Sequence, residues 1–219
     1  MTTVTQQAHS NMVDNQIRGW DVVDMRVLDT LAAMPREAFV PPQWRAMAFA
    51  DVPIPLGHGE TMMKPVVEGR MLQALQLLPA EQVLEIGTGS GFITACLAHL
   101  AGHVTSLELR NDFAQRASTV LASQGLSNIS LHTADAVTSW QPDRHFDAIV
   151  VTGAVAEIPA HWRDWLAPEG RMFVIHGRQP IMCASLLRNS PSDQIRRESL
   201  FDTSLPYLSH AGPRADYTV

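Results

Sequence analysis

The sequence predicts an α/β fold, doubly wound, on a mostly parallel sheet preceded by a layer of helices. Short apolar runs (VLEIG, HVTSLEL, ISLHT, FDAIVV and RMFVIH) alternate with amphipathic stretches, as parallel strands joined by crossover helices do. The first run feeds directly into closely spaced glycines. Ahead of all of them, residues 11–50 carry apolar side chains at helical spacing.

In chain order, Met12, Val13 and Ile17, then Val23, Val27, Leu28, Leu31 and Met34, predict two helices and a connector. Pro35, Pro41 and Pro42 end that pattern. The following stretch, DVPIPLGHGETMMKP, holds three prolines and two glycines, which forbid a long helix and predict a structured loop. Residues 66–78 read as a helix and 83–87 as a buried strand. Next come strand HVTSLEL, a helix over 112–123, strands ISLHT and FDAIVV, a helix around 156–166, and strand RMFVIH. Beyond Gly177, strands are expected near 181–187 and 195–201. Residues 1–65 are expected to form the helical layer and its loop, and 66–219 the main α/β domain, in one compact unit around a single core.

Composition narrows the function classes. Hydrophobic residues make up 46% of the 219 and charged residues 17%, the balance of an ordinary globular protein. A net charge of −6 with scattered basic residues offers no footprint for a phosphate backbone, so nucleic acid is not an expected partner. Cys96 and Cys183 form no CxxC pair, which suggests neither a zinc site nor a disulfide framework and fits a reducing cytoplasm. His99 and His103 are four apart, but Gly102 breaks the helix that would pair them, and no metal is assigned. No basic start leads into an apolar run and no stretch could span a bilayer, so a soluble protein without a signal peptide is expected.

VLEIGTGSGF is the most informative segment. Gly87, Gly89 and Gly91 allow a tight turn from strand to helix whose backbone, with Thr88, can approach a ligand closely. The spacing is G-x-G-x-G, shorter than the dinucleotide turn that seats a pyrophosphate on a helix N-terminus. It suits S-adenosylmethionine, which has no phosphate; NAD is the alternative. Glu108 ends the next strand roughly 20 residues on, where a carboxylate accepts from ribose hydroxyls. Asp135, after ISLHT, could reach an adenine amino group. Glu85, inside the strand, either tethers the turn, meets the ligand's amino group, or simply bonds nearby amides.

The runs MVDNQIRGWDVVDMRVLDTLAAMPREAFVP, DVPIPLGHGETMMKP, VLEIGTGSGF and FDAIVVTGAVAEIP resemble, in order, the signature blocks of the protein-L-isoaspartate O-methyltransferases. The resemblance implies a seven-stranded methyltransferase sheet, S-adenosyl-L-methionine as methyl donor, and repair of isomerised aspartyl residues in damaged proteins. It also implies that the N-terminal helices help cover the donor and that GHGETMMKP walls the active site. The family reads G-x-G-Q-T-I-S-x-P at that wall. Here Thr61 is kept, Glu60 replaces the glutamine and Met63 replaces the serine. Where the family has G-D-G, the chain has Ala134, Asp135 and Ala136.

Methyl transfer to a carboxylate needs no general base, because the acceptor is ionised at neutral pH. The site must instead position the acceptor and replace its water with fixed donors. Thr61 offers a hydroxyl and Met63 none; Lys64 could offer a cation or be a solvated loop lysine. Three functions follow: methylation of isoaspartyl proteins or peptides, methylation of another carboxylate or of a small molecule, or donor binding without turnover.

Overall fold

The computed structural model describes residues 3–190 and 196–213. Its N-terminal layer begins with α1 (Val4–Asn11), opened by a Thr3–Gln6 capping box. The chain runs on without a break through a π turn, Met12–Ile17, whose Met12, Val13 and Ile17 are buried. After a short 3-10 turn, α2 (Met25–Ala33) starts at the Asp24 cap, and α3 (Arg36–Phe39) follows Pro35. The expected loop contains a small antiparallel hairpin, β1 (Ile54–Gly57) and β2 (Glu60–Met62). Gly57, His58 and Gly59 all have positive φ at its tip, the turn chemistry a tight reversal requires.

α4 (Pro65–Leu75) has proline at its first position, where the missing N–H costs nothing. Then come β3 (Gln82–Ile86), α5 (Phe92–Leu100), β4 (His103–Glu108), α6 (Asn111–Ser123), β5 (Ile129–Thr133) and β6 (Phe146–Val155). Three further strands follow, β7 (Leu166–Arg178), β8 (Ile181–Arg188) and β9 (Arg196–Thr203). The second expected strand of this end is therefore present, while Ile195 lies outside the described residues. The seven strands lie in the order β5-β4-β3-β6-β7-β8-β9. Pairs from β5 to β7 are parallel, and β8 pairs antiparallel with both neighbours.

Where a single core is expected, alternate residues feed two, one on each face of the sheet. Val83, Val104, Ala148, Val150 and Phe173 face α4, α5 and the N-terminal helices. Leu84, Ile86, Ile149, Val151 and Val174 face the other side. There the α-helix expected around 156–166 is not formed; the segment is a 3-10 turn, Ala160–Trp165. Pro159 restricts its start and β7 begins at Leu166, which leaves fewer residues than a stable α-helix needs. With three residues per turn, Trp162 and Trp165 share one face, and both are buried against the sheet. No helix among the described residues is long and apolar enough to cross a membrane.

Candidate active site

Strand order reverses between β3 and β6, and a cleft opens at their carboxyl ends, the usual ligand crevice of an open α/β sheet. Its walls come from Leu56 and residues 60–63, the glycine turn after β3, the ends of β4 and β5, and the segment 205–209. Gly87, Gly89 and Gly91 have φ of +98°, +54° and +84°, a region open cheaply only to glycine. Space is short as well: a Cβ on Gly87 would lie 2.5 Å from Thr152 Oγ1, and one on Gly89 3.2 Å from Leu56 Cδ1.

Glu108 fastens this turn. Its Oε2 accepts from the Gly89 amide at 2.8 Å and its Oε1 from the Arg110 amide at 2.9 Å. Burial raises its pKa, and those two amides partly offset the rise. Glu85 lies behind the turn, wholly buried and outside the cleft lining. Its Oε2 accepts from Thr94 at 2.5 Å and from Ser106 at 2.6 Å, and Thr88 meets Ser106 at 2.6 Å. The chain Thr88–Ser106–Glu85–Thr94 thus ties the turn to β4 and α5. Desolvation lifts the Glu85 pKa to about 8.

Asp135 lines the cleft but is already engaged. Oδ1 accepts from the Val137 and Thr138 amides at 2.8 and 3.2 Å; Oδ2 accepts from the Thr138 hydroxyl at 2.5 Å and meets His210 Nδ1 at 2.7 Å. Burial would raise its pKa, but these partners outweigh it and hold the carboxyl below its usual value. Next to it, the Ala136 carbonyl accepts from Trp162 Nε1 at 2.9 Å. The tryptophans of the second face therefore steady a cleft wall.

On the opposite wall, Thr61 Oγ1 is buried with no partner among the described residues. Met63 is 3% exposed, and its carbonyl accepts from Arg36 Nη2 at 2.9 Å. Lys64 is exposed and outside the cleft lining. The N-terminal layer reaches the cleft through Arg36, which also bonds the Ala48 carbonyl at 2.8 Å, pairs with the cleft residue Glu68 and stacks on Phe92 at 4.6 Å. At the rim, Arg110 spans Glu60 at 3.4 Å and Ser209 at 3.3 Å.

A family model described as protein-L-isoaspartate(D-aspartate) O-methyltransferase matches residues 6–198. The chain belongs to this family. A protein-L-isoaspartate O-methyltransferase of Anaeromyxobacter dehalogenans strain 2CP-C is 46% identical over 192 residues, 87% of this chain and 92% of the relative. Protein-L-isoaspartate O-methyltransferase 1 of Rhodopseudomonas palustris strain HaA2 is 37% identical, with 94% and 87% covered. The crystal structure of a Plasmodium falciparum protein of the same family description, in complex with S-adenosyl-L-homocysteine, has the same fold, with TM-score 0.79 at 20% identity over 91% of this chain and 97% of that one.

Among the family member's cleft residues, sequence reasoning singled out the glycines, Thr88, Glu108, Asp135, Thr61 and Met63, and all of them line the cleft or its turn. It missed Glu68, Arg36, Arg110, Thr152 and the segment 205–209. For Glu68 a signal existed: an acid among Val67, Met71, Leu72 and Leu75 stands on the apolar stripe of α4. The others owe their places to pairings distant in sequence.

Proposed function

We propose that the chain transfers the methyl group of S-adenosyl-L-methionine to the side-chain carboxylate of isoaspartyl residues in proteins or peptides. The observation that carries this reading is a single cleft in a member of this family: a glycine turn fastened to Glu108 on one side, and Thr61 with an unused hydroxyl on the other.

The donor, when bound, supplies an electrophilic methyl group on a sulfonium. Gly87 and Gly89 leave room for a close backbone approach, and Glu108 keeps lone pairs free for ribose hydroxyls beyond the two amides it holds. Residues 134–137 form the wall for the adenine, with the Ala136 carbonyl held by Trp162 and Asp135 turned toward its own loop. The acceptor carboxylate arrives ionised, so Thr61 need only donate a hydrogen bond and orient it. Leu56, Met62 and Met63 exclude water from that wall, which strengthens each remaining polar contact.

One observation favours a second reading. The buried thioether of Met63 stands where the family has a serine and gives a carboxylate nothing to bond. A different carboxylate or a small apolar acceptor would suit it better. Labelled methyl transfer separates the readings when an isoaspartyl peptide, its aspartyl counterpart and a cell extract are compared. The expected result is a base-labile ester on the isoaspartyl peptide alone. Label only in the extract would favour the second reading, and label in neither would leave donor binding without turnover.

A further inference from the structure

Among the described residues, four carboxylates line the cleft: Glu60, Glu68, Glu108 and Asp135. Glu60 is a quarter exposed and faces Arg110 at the rim. Glu108 has an amide on each oxygen, and Asp135 is occupied by Thr138, Val137 and His210. Glu68 differs from all three. Its side chain is 2% exposed, Arg36 engages Oε2, and no hydrogen bond among the described residues occupies Oε1. Glu68 lines the cleft and this oxygen is not sealed off in the core, so a ligand group in the cleft that bonds it takes the place of water.

The place of Glu68 decides which ligand group that is. Arg36 binds Glu68 and at the same time lies over the Phe92 ring, and Phe92 is the first residue of α5, directly after the glycine turn. Phe92 and Ile93 line the cleft together with Glu68. An amino-acid moiety held at this turn therefore ends beside Glu68. Of the polar groups on that moiety, the carboxylate would be repelled and the ammonium attracted.

Resting on the donor reading given above, we propose that Glu68 Oε1 receives the α-ammonium group of the methyl donor and of its demethylated product. Glu68 is then a binding residue of this chain's own, with Arg36 as its positioning residue. Arg36 holds the carboxylate through Nη1 while its Nε and Nη2 are fixed on the Ala48 and Met63 carbonyls. One guanidinium thus sets the ammonium site and the backbone of the acceptor wall together.

Burial raises the Glu68 pKa to about 7; the charge and hydrogen bond of Arg36 oppose the rise and Asp51 adds to it. Among the described residues, Arg36 from α3, Asp51 from the segment before β1 and Cys96 from α5 are the titratable groups around it. An arriving ammonium favours the ionised carboxylate, opposing the direction in which burial pushes Glu68.

The test compares S-adenosylhomocysteine with its analogue lacking the α-amino group, by calorimetry on the full chain. Wild type is expected to bind the amino-bearing ligand about ten- to a hundredfold more tightly, the scale of a charge-assisted hydrogen bond. Glu68→Gln should remove most of that preference and leave the analogue's affinity within about threefold of its wild-type value. A second measurement needs no variant. At pH 6.5, in buffers of different ionisation enthalpy, wild type should release protons on binding S-adenosylhomocysteine and fewer on binding the analogue. Equal affinities of wild type for the two ligands would overturn the proposal. So would a Glu68→Gln loss that falls equally on both, the mark of a merely structural role. If wild type binds neither ligand, the donor reading falls and this proposal with it.

Discussion

The amide of Gly89 donates to the Glu108 carboxylate across 2.8 Å, so the turn after β3 is fixed to the end of β4 without any ligand. Glycine takes the left-handed φ at little cost, and the charge-assisted bond holds the turn in one position, so a ligand in the cleft would meet a preformed turn.

Glu108→Ala should release the Gly89 amide and, on the proposed donor placement, remove a ribose partner with it. S-adenosylhomocysteine affinity is expected to fall by about 1.5–3 kcal/mol, with no NAD binding in either protein. Isothermal calorimetry measures both, and an unchanged affinity would take Glu108 out of the site.

At Gly89 a valine would need a positive φ and would press on Leu56. Gly89→Val should abolish donor binding while circular dichroism remains native. A native spectrum with native affinity would show that the ligand lies elsewhere.

Met63→Ser restores a hydroxyl beside Thr61 on a backbone already held by Arg36. One hydrogen bond to a charged acceptor corresponds to about ten- to a hundredfold in rate when realised in the transition state. Wild-type activity on an isoaspartyl peptide should accordingly be low, and Met63→Ser should raise it by that factor, scored as base-labile ester. Family-level activity in wild type would show that the thioether is no handicap.

Arg171 joins β7 to the end of α4 through Glu81 at 2.6 and 2.7 Å and the Leu75, Gln76 and Asp147 carbonyls. Burial alone would raise the Glu81 pKa, but hydrogen bonds from Arg171 and the Leu78 amide, with the Arg171 charge, bring it below its usual value. A depressed folded-state pKa gives stability that is present above the unfolded value and lost as pH falls through the folded one. Glu81→Gln should therefore cost about 1–2 kcal/mol at pH 7 and progressively less in acid. Urea unfolding of both proteins at pH 7 and pH 3.5 follows the gap, and a gap that fails to narrow would locate the cost in packing.

The central strands and helices were legible because each carries its own period. The runs ending at Gly87 and Glu108 and the stripe of α6 are buried as their patterns require. The segment before Leu166 misled, since its apolar spacing is compatible with an α-helix while Pro159 and the start of β7 leave room only for a 3-10 turn.

The glycines and Glu108 could be found by spacing, because a turn and the next strand's end are separated by one helix of nearly fixed length. By itself, then, the sequence determined the sheet, the glycine turn, Glu108 across from it, and a departure from the family at Met63. Only the tertiary structure decided that Glu85 turns away from the cleft toward Thr94 and Ser106, that Lys64 faces solvent, and that Asp135 is taken up by Thr138 and His210. It alone brought Arg36 onto Glu68, 32 residues apart, and Ser209 onto Arg110, 99 apart. The physical reason is that a side chain's direction follows from which strand neighbours which and which helix packs where, and such long-range pairings leave no local period to read.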